Sequence, residues 1–180
     1  MLDINFIVFI SIFLSLILTI AAQKIFLQKK IFDTVNSRSS HKVKATRSGG
    51  LGIFLAMFCL SLVSYIFQIE LYNYSLLVPL SLLFVVGLYD DVYQLDFKLK
   101  FIFQIIAAKI IIDNGLIINN LHGFIGVYEL NRIIGQLFTI FIIVAVVNAI
   151  NFIDGIDGLA ISVVTLFIIC FEFFINSNSP

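Results

Sequence analysis

Ile133-Ile134-Gly135-Gln136-Leu137-Phe138-Thr139-Ile140-Phe141-Ile142-Ile143-Val144-Ala145-Val146-Val147-Asn148-Ala149-Ile150-Asn151-Phe152-Ile153-Asp154-Gly155-Ile156-Asp157-Gly158 runs an apolar segment straight into a polar series. Asn148, Asn151, Asp154 and Asp157 stand three residues apart. Polar side chains inside a membrane segment are costly and mark function. The stretch therefore reads as a membrane helix whose end reaches water and meets something polar, with amide and carboxylate oxygens suited to a phosphate and its metal ion. Each three-residue step turns about 300° on an α-helix, so neighbours share a face while the series drifts around it. The helix is expected to unwind near Gly155. Two Asp-Gly turns capping successive helices would account for Asp154 and Asp157, but would leave Asn148 and Asn151 without a role in a membrane helix.

Working outward, the composition carries the same message. Of the 180 residues, 61% are hydrophobic and 12% charged, and mean hydropathy is +1.09, well above that of a soluble domain. Apolar segments fall at about 4–27, 51–69, 76–89, 99–112, 133–147 and 159–175; several reach the ~20 residues a spanning helix requires only with their polar ends included. The expected fold is all-α: a polytopic transmembrane bundle of about six spans, forming one integral-membrane domain over residues 1–180. The first segment is too long for a signal-peptide core and reads as a retained span. The segment 99–112 is the least secure span, with a re-entrant segment as the alternative; Lys109 and Asp113 are four apart and can pair on a helix, and Asn114-Gly115 is a good stop. Residues 116–130 mix Gly, Asn and β-formers and read as an external loop or short hairpin. Cys59 and Cys170 lie in apolar runs with no zinc or redox spacing and predict no disulfide.

Seven of the eleven Lys and Arg residues (Lys24, Lys29, Lys30, Arg38, Lys42, Lys44, Arg47) cluster in the first connection, which the positive-inside rule makes cytoplasmic. The N-terminus is then external, and counting spans puts every carboxylate-rich motif on the cytoplasmic face. The zero net charge gives no reason to expect nucleic acid as a partner.

Two further polar groups share that face. The basic loop pairs cations with hydroxyls and ends in Ser48-Gly49-Gly50, read as a turn before the second span; such groups hold phosphates, although topology and lipid headgroups alone could explain the charge. Asp90-Asp91 closes the third span. Lys or Arg would end a cytoplasmic-side span and satisfy topology as well, whereas adjacent acids repel unless a cation intervenes. Magnesium fits, since it takes oxygen ligands and binds one or two carboxylates together with substrate phosphates.

At these residues the chain resembles the polyprenyl-phosphate N-acetylhexosamine-1-phosphate transferases, which include enzymes starting lipid-linked O-antigen or teichoic-acid assembly and the phospho-N-acetylmuramoyl-pentapeptide transferase. Asn148 to Ala160 is similar to the family's Asn-x-x-Asn-x-x-Asp-Gly-x-Asp-Gly-Leu-Ala signature. Gly87-Leu88-Tyr89-Asp90-Asp91 with Lys100-Phe101 and Gln104 resembles its Asp-Asp motif and the Lys-Phe-x-x-Gln that follows. Arg38 to Gly50 resembles its first cytoplasmic loop, and Leu121 to Leu130 the external loop of the O-antigen-type branch. Lys44 and Thr46 replace prolines common in that branch.

The resemblance implies a magnesium-dependent enzyme, with manganese as an alternative ion, in a bacterial inner membrane. It would transfer a sugar-1-phosphate from a UDP-amino sugar to a membrane polyprenyl phosphate and release UMP. It assigns catalysis to Asp90, Asp91 and Asp154, metal binding to Asp91, Asn151 and Asp154, and substrate contacts to His41, Lys44, Arg47, Asn148 and Asp157. The family's further Gly-Asp motif and His-rich loop do not occur in these 180 residues. The chain is therefore expected to be the N-terminal part of a longer fold, with a complementing C-terminal half or a second copy as protein partner. The rival readings are an inactive or split membrane fragment and an ion-coupled transporter; the acids at span ends and the absence of an internal repeat speak against the transporter.

Overall fold

The computed structural model describes residues 4–29, 46, 48–69, 73–153 and 158–178. These form six α-helices and a small hairpin: α1 (Ile4–Gln28), α2 (Gly49–Ile66), α3 (Leu77–Tyr93), α4 (Phe97–Asp113), β1 (Asn120–Phe124), β2 (Val127–Glu129), α5 (Arg132–Ile153) and α6 (Leu159–Asn178). With no water in a bilayer core, the backbone must satisfy its own hydrogen bonds, and helices do so segment by segment. Four stretches are long and apolar enough to cross: 6–28, 49–66, 74–93 and 132–153. The apolar part of α6, Leu159–Ile175, is shorter, and α4 has 17 residues. The protein is an all-α polytopic membrane bundle.

Several boundaries differ from the sequence reading. Lys24 belongs to α1 itself and not to the connection after it. Gly49 and Gly50 open α2 as helical residues instead of forming a turn. The third span runs on to Tyr93, so Asp90 and Asp91 lie within the last turn of α3.

Helices α1 and α2, α3 and α4, and α4 and α5 pack as neighbours. At the α1–α2 contact the small residues Ala22, Gly52 and Ala56 are buried, and a Cβ on Gly52 would collide with the backbone of Thr19; small residues let membrane helices approach this closely. Phe54 of α2 stacks on Phe84 of α3, with ring centroids 3.8 Å apart. Ala107 and Ala108 of α4 are fully buried. Lys109 pairs with Asp113 one turn on, as their spacing requires, and α4 stops before Gly115, whose φ is +92°.

The expected hairpin is present, with β1 antiparallel to β2. Its turn carries positive φ at Gly123, Ile125 and Gly126. Thr139 of α5 anchors its base: the buried hydroxyl donates to Gly135 O (2.7 Å) and accepts from Ile118 N (2.9 Å). Asn131 caps α5 by accepting from Ile134 N at 2.9 Å, a common way to satisfy first-turn donors.

Candidate functional site

The site is assembled at the end of the bundle opposite the hairpin. Asp90 sits where the C-terminal end of α3 disfavours negative charge, and two donors offset this: Lys100 Nζ lies 2.7 Å from Asp90 Oδ1, and Leu95 N–H donates to the same oxygen at 2.9 Å. The tight passage from α3 to α4 makes this geometry available. Gln94 turns the chain with φ +52°, its N–H donating to Asp90 O at 2.9 Å. Asp91, next in the helix, is exposed.

One turn further along α4, Gln104 is buried, with 7% of its surface exposed. Its Oε1 accepts from Asn148 Nδ2 of α5 at 2.7 Å, and the same Nδ2 donates to Val144 O at 2.8 Å. Asn148 and Asn151 therefore lie within α5, not beyond its end, and Asn151 is exposed in its final turn. Because Lys100 and Gln104 are separated by about 6 Å of helix rise, the acid pair of α3 and the amide pair of α5 come to one end of the molecule. Ser48, at the start of α2, is buried and its hydroxyl lies 3.0 Å from that of Thr46.

Of the residues singled out in the sequence, the structure ties Asp90 of α3 to Lys100 of α4 and Asn148 of α5 to Gln104 of the same helix, and leaves Asp91 and Asn151 exposed in the last turns of α3 and α5. His41, Lys44, Arg47, Asp154 and Asp157 lie outside the described residues. Lys100 and Gln104 were legible as parts of a motif, but their partners were not; their i, i+4 spacing on α4 was the available signal. Among the described residues no group of three His, Cys, Asp or Glu side chains gathers as a metal cage. A cation here would rest on one or two carboxylates, amide oxygens and ligand phosphates, a donor set of the hard-oxygen type that magnesium takes.

A family model described as Glycosyl transferase family 4 matches residues 73–179, more than half of the chain. The chain belongs to glycosyl transferase family 4. The match covers α3 through α6, including the Asp90-Asp91 pair, the α4 strut and the Asn148–Asp157 series of this family-4 chain. It is 33% identical over 107 residues to a probable undecaprenyl-phosphate N-acetylglucosaminyl 1-phosphate transferase of Bacillus subtilis (strain 168), an alignment covering 59% of this chain and 30% of that relative. The aligned part is thus about a third of the relative's length. No solved structure matches the chain.

Proposed function

We propose that this family-4 chain contributes the Asp-Asp and Asn/Asp parts of an active site that transfers N-acetylhexosamine-1-phosphate from a UDP-sugar to a membrane polyprenyl phosphate, releasing UMP. The observation that supports the reading is the pair of contacts α4 makes one turn apart, Lys100 with Asp90 of α3 and Gln104 with Asn148 of α5. The partial match to a relative named for such a transfer supports it.

Two anions must meet in this reaction, so charge neutralisation and alignment supply most of the catalysis. Asp90, neutralised by Lys100 and held by Leu95 N–H, fixes the end of α3 and with it the backbone that presents Asp91. Asp91 is the group we assign to receive the proton of the lipid phosphate. Asp91, Asn151 and Asp154 would hold magnesium, which when bound neutralises the phosphates of donor and acceptor. His41, Lys44 and Arg47 would contact phosphate, Asn148 would shape the site, and Asp157 would contact the nucleotide. We place this face in the cytoplasm and the N-terminus outside, on the strength of the cation cluster.

The test is magnesium-dependent release of UMP, in membranes carrying the complete protein, from a panel of UDP-amino sugars with polyprenyl phosphate as acceptor. Release that depends on acceptor and metal is expected. Absence of release across the panel, from protein shown to be inserted, would overturn the proposal.

A further inference from the structure

α4 meets both neighbours through side chains one turn apart, Lys100 on Asp90 of α3 and Gln104 on Asn148 of α5. The second contact is the better defined. A carbonyl can only accept, so Val144 O fixes which end of the Asn148 amide carries the nitrogen; its second hydrogen then requires an acceptor, which Gln104 Oε1 provides. Gln104 is buried, and the fully buried Ala107 and Ala108 one turn along leave little room for α4 to shift. Asn148 lies three residues before Asn151, so whatever holds it also holds the last turn of α5.

We propose that Gln104 is a positioning residue: through Asn148 it sets the rotation and height of the end of α5 against the end of α3, and so the separation of Asn151 from Asp91. This rests on the reading of Asp91 and Asn151 as site groups, but the geometric role can be measured without it. Loss of the bond leaves α5 able to turn, and misplacement by about 1 Å at a reacting centre can lower turnover about 10²-fold. A residue that only glues helices together would lower stability and leave the kcat of the folded fraction unchanged.

The experiment places spin labels at Val92 and Phe152, exposed residues in the last turns of α3 and α5, with Cys59 and Cys170 replaced, and reads their distance in lipid nanodiscs. Gln104→Met keeps the length and removes the acceptor; Gln104→Asn keeps the amide and shortens the reach, a second variant should the first fail to insert. Either is expected to shift the distance by about 1 Å or more and, in the complete protein, to lower kcat about 10²-fold at similar KM. The exchange Gln104→Asn with Asn148→Gln conserves the combined length and is expected to restore the distance. An unchanged distance in the variants overturns the inference whatever the activity. So does a shifted distance at full kcat. If the wild-type protein turns over no UDP-sugar while the distance shifts and the exchange restores it, the positioning role stands and the transferase reading falls.

Discussion

Asp90 and Asp91 are adjacent in sequence and differ in exposure. Asp90 is held by Lys100 and Leu95 N–H, while Asp91 is exposed in the same turn. Asp91→Asn keeps the shape and removes the charge, and is expected to lower exchange of UMP with UDP-sugar about 10²- to 10³-fold without loss of insertion, as removal of an electrostatic group from a preorganised site does. Near-normal exchange would take Asp91 out of the mechanism. Lys100→Met separates position from stability. The pair is substantially exposed, at 38% and 28% of the side chains, so its loss is expected to cost under about 1 kcal/mol of stability, while exchange falls about 10²-fold as the α3 end loosens. A thermal melt and an exchange assay on the same preparation check both halves. At this scale the acid pair and the Asn/Asp series were legible, because such groups are costly in an apolar chain. The Gln104–Asn148 bond was not, since no local spacing relates residues 44 positions apart.

Among the elements, the hairpin and α5 behave as one unit. Ile118 N, Thr139 and Gly135 O form a short hydrogen-bonded chain, and a Cβ on Gly135 would stand 2.8 Å from Ile118 O. Thr139→Val keeps the volume but leaves the Ile118 N–H without its acceptor, and is expected to cost about 1–3 kcal/mol, seen as a lower melting temperature in detergent. Gly52→Val should disrupt α1–α2 packing, because the added atoms meet the Thr19 backbone, which cannot rotate away as a side chain could. Weaker disulfide cross-linking between cysteine pairs placed along α1 and α2 would report it, and unchanged cross-linking would show that the helices re-pack at no loss. The six helices and the hairpin were legible from apolar length, the Asn114-Gly115 stop and turn residues. The extent of α3 past Asp90-Asp91 was not, because the polar residues that suggested an exit can remain helical wherever the helix end meets water.

For the whole molecule, the antiparallel succession of α3, α4 and α5 puts the hairpin at one end and the acid and amide pairs at the other. With the proposed orientation, a cysteine at Asn120 is expected to react with an impermeant thiol reagent in intact cells and one at Ser37 only after the membrane is opened. Labelling of Ser37 but not Asn120 would reverse the orientation, and equal labelling would break the parity of the spans. The sequence by itself determined that this is a membrane bundle, where its apolar helices fall, and which polar residues stand out in an apolar chain. These follow from the cost of placing polar groups and unpaired backbone in hydrocarbon, a cost paid residue by residue. Only the tertiary structure decided which faces meet. In a membrane, lipid is as apolar as a protein core, so hydrophobic pattern hardly distinguishes an inward face from an outward one. The rotations that bring Lys100 to Asp90 and Gln104 to Asn148 depend on close packing of small residues and on hydrogen bonds between helices, which exist only once the helices are assembled.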